Sequence, residues 1–78
     1  MATARPPRIP SLDLLKGFVA VGRHLSITRA AAELHLTQSA VSRQVLALED
    51  ALGCRLFLRS HRAIAFTPEG ERLFRKLD

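Results

Sequence analysis

The chain has 78 residues, about half the size of an average domain, so we expect one small domain without a cleft between domains. Lysine and arginine number 12 against seven acidic residues, and the net charge of +5 indicates a polyanionic partner. The single cysteine excludes an internal disulfide and a cysteine-based zinc site, and we expect neither a signal peptide nor a membrane span. The sequence therefore predicts a soluble, cytoplasmic protein with no membrane partner.

The amino-terminal segment differs in composition from the rest of the chain. Residues 1–10 contain three prolines and two arginines with little apolar surface, which predicts a mobile arm. A solvated tail is the simpler interpretation, and contact of its arginines with a polyanion is the alternative. Ser11 then has the position of a helix N-cap. The apolar residues after it recur at helical spacing, so a first helix is expected to end near His24.

A second, shorter helix is predicted from Thr28 to about His35, with Ser26 and Thr28 as candidate caps. Its three consecutive alanines favour a helix, and their small side chains let a neighbouring helix approach closely. A tight turn then leads to Thr37, which is placed to cap a third helix.

The third helix, predicted over residues 38–52 and ended by Gly53, has two different faces. One face is apolar and consists of residues within a narrow arc, namely Val41, Val45, Leu48 and Leu52. The opposite face carries short polar or cationic side chains, namely Gln38, Ser39, Ser42 and Arg43. Glu49 and Asp50 come only in the last turns, whereas an ordinary solvated face mixes both charges along the helix. The pattern is typical of a helix that reads DNA.

After Gly53 the pattern changes to two short apolar segments, residues 55–58 and 63–66, with a basic connection. We interpret residues 55–66 as a two-stranded hairpin, or wing. Thr67 and Pro68 then form a helix start, a cap followed by a first-turn proline. The last helix carries an apolar stripe of Leu73, Phe74 and Leu77. The stripe belongs either to the core or to a dimer interface, and the interface is favoured because a terminal helix cannot bury such a stripe alone.

Together these elements predict a mainly α winged helix-turn-helix domain at residues 11–67. The major groove of B-form DNA admits one helix, and the bases display distinct donors and acceptors there. Gln38 has the groups to bond an adenine, and Arg43 has those to bond a guanine. The wing offers further side chains for phosphates or a narrow minor groove, namely Arg59, His61 and Arg62. The alternative is a basic module of the same fold that docks on an acidic protein surface.

Several runs of the sequence are similar to the amino-terminal DNA-binding domain of LysR-type transcriptional regulators. The most specific run is Thr37-Gln-Ser-Ala-Val-Ser-Arg-Gln44, preceded by Leu25-Ser-Ile-Thr-Arg-Ala-Ala31 and Leu34. Further matches are Leu48-Glu49, Leu52-Gly53, Leu56-Phe57, Arg59 and Thr67-Pro-Glu-Gly70. The arm, with Gly22-Arg-His-Leu-Ser26, is similar to the branch that contains glycine-cleavage and β-lactamase regulators. Many members have proline where this chain has Ser39, which leaves the base preference open.

The resemblance implies a bacterial cytoplasmic regulator that binds double-stranded DNA as a homodimer on an interrupted inverted repeat. A tetramer is the alternative for the full-length protein. Residues 68–78 are then the start of the linker helix, through which two subunits pair by way of Leu73, Phe74 and Leu77. The effector domain, which would bind a small molecule of unknown identity, lies outside this chain. No cofactor is therefore expected here.

The resemblance also implies roles for individual residues. It places the recognition helix, residues 38–52, in the major groove and the wing, residues 55–66, at the minor groove. The implied base contacts are Gln38, Ser39, Ser42 and Arg43, with Arg62 as the wing residue. The implied phosphate contacts at the start of the second helix are Ser26 or Thr28, and Arg29.

The remaining residues give no reason to expect an enzyme or a metal site. The histidines, His24, His35 and His61, are not at metal-ligand spacing. No aspartate lies near a nucleophile elbow, so a catalytic triad is not predicted. Cys54 is expected to pack beside the hairpin, with a redox sensor as the alternative.

Overall fold

The computed structural model describes residues 12–61 and 63–77, which form four helices and a two-stranded antiparallel sheet. The elements in chain order are α1 (Leu12–His24), α2 (Ile27–Leu34), α3 (Gln38–Leu52), β1 (Phe57–Arg59), β2 (Ile64–Phe66) and α4 (Pro68–Leu77). The predicted mainly α winged helix-turn-helix is confirmed. The predicted arm, residues 1–10, and the predicted cap Ser11 lie outside the described residues.

The second helix begins one residue earlier than predicted, and the two candidate caps are now distinguished. Ser26 has an extended backbone and its hydroxyl accepts a hydrogen bond from the Arg29 N–H at 3.1 Å, so Ser26 is the N-cap. Thr28 lies inside α2. The helix ends at Leu34, and His35 is its C-cap. The φ of His35 is positive, 58°, and its N–H donates to carbonyls of the last turn.

The predicted caps of the third and fourth helices are confirmed. Thr37 accepts from the Ala40 N–H at 3.1 Å, and α3 ends at Gly53, whose φ is 74°. Thr67 accepts from the Gly70 N–H at 2.9 Å and donates its hydroxyl proton to the Arg55 carbonyl at 2.7 Å. Thr67 therefore both starts α4 and fixes it to the segment that precedes the wing.

The core lies between α1, α2 and α3 and extends to the wing. Its buried side chains are Phe18, Ala20, Val21, Ala30, Ala31, Val41, Val45, Leu48, Leu56 and Phe57. Three of the four apolar residues predicted to be buried on α3 are fully buried, but Leu52 is 42% exposed. Near the carboxyl end of α3, the side chain that is buried instead is Glu49, which is only 7% exposed.

All four phenylalanines of the chain form one aromatic cluster that joins α1, the wing and α4. The ring of Phe74 lies 5.1 Å from that of Phe66 and 6.2 Å from that of Phe18, between ring centroids. Phe74, predicted to belong to a dimerisation stripe, is half-buried and packs against the core of its own chain through these two rings. Leu73 also packs against this core, whereas Leu77 is 41% exposed.

The first strand of the wing begins two residues and ends one residue later than predicted, and the second begins one residue later and ends at Phe66 as predicted. Phe57 pairs with Phe66, Leu58 with Ala65, and Arg59 with Ile64. Just before β1, the Leu56 N–H donates to the Glu49 carboxylate, and so does the N–H of Phe57, the first residue of the strand. Arg59 lies in β1, whereas the sequence predicted it in the connection.

Candidate nucleic-acid interface

The outer surface of α3 presents polar and cationic side chains near its amino end. Gln38, Ser39 and Arg43 are exposed, and Ser42 is half-buried. Because Thr37 caps the helix, these residues begin on a rigid first turn, which contains no acidic residue. Farther along α3, Leu46 is 53% exposed, so a large apolar side chain borders the polar ones. This surface can donate and accept hydrogen bonds and make one apolar contact without repelling an anion.

The wing brings further basic side chains beside that surface. Arg59 and His61 are both exposed, and Ser60 closes the tip of the hairpin by donating its N–H to the Ala63 carbonyl at 2.9 Å. Arg62, predicted as the wing residue that meets DNA, lies outside the described residues. The described part of the hairpin thus carries two exposed basic residues.

An open cleft of about 380 Å³ separates the start of α2 from the wing. Four of the residues predicted to contact phosphates line it, namely Ser26, Thr28, Arg59 and His61. Arg29 is exposed on α2, and its N–H is bonded to the Ser26 hydroxyl. The structure thus brings together residues that are more than thirty positions apart in the chain.

Two side chains of α3 fix the wing. The Glu49 carboxylate, through Oε2, accepts from the Leu56 N–H at 2.7 Å and from the Phe57 N–H at 3.2 Å. Nearer the amino end of α3, Ser42 Oγ accepts from Arg59 Nη1 at 2.9 Å. Of the predicted base-contacting residues, Ser42 is therefore the one that already has a partner on the wing.

At the ends of α1 and α2, one acidic side chain is paired with two basic ones. Glu33 accepts from Arg23 Nη1 at 2.9 Å, and its other carboxylate oxygen lies 2.8 Å from His24 Nε2. The hydrogen bond to His24, supported by the nearby Arg23 charge, holds the pKa of the Glu33 carboxyl below its usual value against a desolvation effect that raises it. The paired carboxylate is thus tied to two basic side chains.

The matched part of the chain, residues 12–71, fits the family model described as the bacterial regulatory helix-turn-helix protein, lysR family. The chain belongs to the LysR family. This LysR-type domain is 52% identical over 67 residues to the glycine cleavage system transcriptional activator of Escherichia coli (strain K12). It is 54% identical over 67 residues to the transcriptional activator AmpR of Pseudomonas aeruginosa. Each match covers 86% of the chain and 22% of the relative, so the chain spans about a fifth of the length of these regulators. Both relatives are transcriptional activators and not enzymes.

Solved structures extend the comparison to a complex with DNA. The LysR-type domain is similar to the chain in the crystal structure of a CbnR DBD–DNA complex, with a TM-score of 0.81 and 38% sequence identity. The alignment covers 85% of this chain and 76% of that chain. The similarity to a DNA-binding domain that was crystallised with DNA therefore involves most of both chains.

Sequence reasoning missed the way in which the LysR-type domain fixes its wing. It took Glu49 as an acid kept away from the reading surface, whereas its carboxylate is buried and binds the start of β1. An acidic residue beside the buried arc of an amphipathic helix was the available signal. The Ser42–Arg59 hydrogen bond had no comparable signal, because it depends on how the wing lies against α3.

The described residues of the LysR-type domain include no helix that is long and apolar enough to cross a membrane. Within the same residues, no group of three or more histidine, cysteine, aspartate or glutamate side chains is arranged to hold a metal ion. Cys54 is half-buried, is a free thiol and packs against the core.

Proposed function

We propose that this LysR-type domain reads a specific sequence of double-stranded DNA, with α3 in the major groove and the wing at the minor groove. The observation that carries the proposal is the exposed, polar and cationic amino-terminal half of α3, which begins at a fixed cap beside a basic wing. A helix of this kind fits the width of the major groove, where each base pair has its own pattern of donors and acceptors. The similar CbnR DBD–DNA complex supports the same partner.

The base contacts are proposed for the exposed side chains at the start of α3. Gln38 offers an amide that can both donate to and accept from adenine, and Arg43 offers a planar fork for guanine. Ser39, also exposed, offers a hydroxyl where many relatives have proline. These residues choose the sequence, because hydrogen bonds to base edges differ between base pairs.

The phosphate contacts are proposed for the cleft between α2 and the wing, together with the wing tip. Ser26, Thr28, Arg59 and His61 line or border that cleft, and Arg29 extends it on α2. Arg62 is proposed to enter the minor groove. These contacts supply affinity for any DNA sequence, since phosphates are the same at every base pair.

The domain is proposed to act as a homodimer in a cytoplasmic bacterial regulator, with two recognition helices on an interrupted inverted repeat. The dimer contact is proposed for α4, where Leu77 is exposed and Leu73 is half-buried. Phe74, which is half-buried against the core of its own chain like Leu73, is proposed to contribute its exposed part to this contact. A small-molecule effector, and a tetramer, are proposed for the longer protein, whereas this chain itself needs no cofactor.

Selection from a library of random duplexes, followed by fluorescence anisotropy, tests the proposal. We expect the 78-residue chain to recover an interrupted palindrome at near-physiological salt. The two half-sites should lie about one helical turn of DNA, or a whole multiple of it, apart. Binding that is sensitive to salt but returns no motif would contradict sequence reading and leave only a basic surface. Retention of an acidic protein with no DNA binding would favour a protein-docking module instead.

A further inference from the structure

The hydrogen bond between Ser42 and Arg59 joins the recognition helix to the wing. Arg59 Nη1 donates to Ser42 Oγ at 2.9 Å, although the two residues lie 17 positions apart in the chain. Ser42 is half-buried, whereas Gln38, Ser39 and Arg43 of the same helix are exposed. Ser42 is thus the least accessible of the four side chains predicted from the sequence to read bases.

The backbone geometry explains why these two side chains meet. Successive side chains of a strand point to opposite faces, so Arg59 shares a face of β1 with Phe57, which is buried against the core. Ser42 and Glu49 lie two helical turns apart and therefore share a face of α3. Glu49 holds the start of β1, and Ser42 holds the side chain at its end. One stripe of α3 therefore docks the wing.

We propose that Ser42 is a positioning residue for Arg59 and not a reader of bases. Its hydroxyl holds the guanidinium between α3 and the wing, where the other N–H donors of the arginine stay available for DNA. This proposal rests on the proposed function, and it reassigns one of the four side chains of α3 predicted to contact bases.

A serine suits this task better than a carboxylate would. A neutral hydroxyl fixes the direction of the guanidinium without cancelling its charge, so Arg59 still attracts a phosphate. A long, flexible side chain loses rotamer freedom when it binds, and holding it beforehand removes part of that cost. The expected gain is about three- to tenfold in affinity, the equivalent of ordering one such side chain.

A double-mutant cycle measures this coupling. Affinities for one duplex are determined by fluorescence anisotropy for the wild type, Ser42→Ala, Arg59→Ala and the double variant. We expect Ser42→Ala to weaken binding about three- to tenfold in the wild type and less than about twofold in the Arg59→Ala background. Ser42→Thr keeps the hydroxyl and should restore the affinity.

Two further readouts separate positioning from reading. Arg59→Ala should lower the salt dependence of binding by about one unit, whereas Ser42→Ala should leave it unchanged, since the arginine still reaches the phosphate. Ser42→Ala should also leave the base preference at every position of the selected site unchanged. Ser39→Ala is the matched control, because Ser39 is an exposed serine of the same helix and its effect should add to that of Arg59→Ala.

The proposal is overturned if Ser42→Ala weakens binding equally with and without Arg59, or if it changes the preferred base at any position. It is also overturned if Arg59→Ala leaves the affinity unchanged. If the wild type shows no sequence preference, the proposed function fails, but the cycle on random duplex DNA still decides whether Ser42 acts through Arg59.

Discussion

Replacing Glu49 by alanine removes the acceptor of two backbone N–H groups at the point where the wing begins. The donors belong to Leu56 and Phe57, which are each only 1% exposed, and their N–H groups bond the carboxylate at 2.7 and 3.2 Å. A buried donor left without a partner costs about 1–3 kcal/mol, so we expect a loss of about 2–6 kcal/mol in the free energy of unfolding. A chain of this size has a total of roughly 4–12 kcal/mol, so the variant should lose about half of its stability at 25 °C.

Urea denaturation followed by circular dichroism measures this loss. Glu49→Gln, which keeps one carbonyl oxygen as an acceptor, should fall between the wild type and Glu49→Ala. Asp50→Ala is the matched control, because Asp50 is the next residue of α3 and is exposed. Free energies of unfolding within about 0.5 kcal/mol of each other for Glu49→Ala and Asp50→Ala would contradict a structural role for the Glu49 carboxylate.

Three other predictions concern the helices. Gly70→Ala should lower the free energy of unfolding by about 1–3 kcal/mol, because the new Cβ would clash with the Leu56 carbonyl oxygen. This loss is expected despite the better helix propensity of alanine. An unchanged urea midpoint would contradict the clash. The pKa of Glu33 is lower in the folded protein than in the unfolded chain. Its carboxylate therefore stabilises the fold at a pH above the unfolded pKa, and this stabilisation is lost as the pH falls through the folded pKa. Glu33→Gln should therefore reduce the drop in melting temperature between about pH 5 and pH 3, and an equal drop would argue against the pairing with His24. Leu77→Asp should weaken self-association in analytical ultracentrifugation if α4 forms the dimer contact, and unchanged association would exclude Leu77 from it.

Local signals were enough to predict the helices. Thr37 and Gly53 bound α3 as expected, because a cap hydroxyl and a glycine with positive φ satisfy backbone groups within a few residues of themselves. The start of α2 was misplaced by one residue because Ser26 and Thr28 are both good caps, and the choice depends on which of them has extended backbone. The family resemblance, carried by the run from Thr37 to Gln44, is confirmed by the family match.

Contacts between distant parts of the chain were not predictable in the same way. The hydrophobic pattern marks Phe74 as apolar but does not say that Phe18 and Phe66 will cover its ring. In the same way, no local pattern indicates that Glu49 will accept from the Leu56 and Phe57 N–H groups. Such roles depend on tertiary packing, which periodicity along one helix does not encode.

A comparison of Gln38→Ala with the wild type on two duplexes decides the claim that the amino end of α3 reads bases. One duplex carries the selected palindrome and the other carries the same bases in scrambled order, and both affinities are measured by fluorescence anisotropy at the same salt concentration. We expect Gln38→Ala to lose about 1–3 kcal/mol, roughly five- to 150-fold, on the palindrome and almost nothing on the scrambled duplex. An equal loss of affinity on both duplexes would contradict the claim.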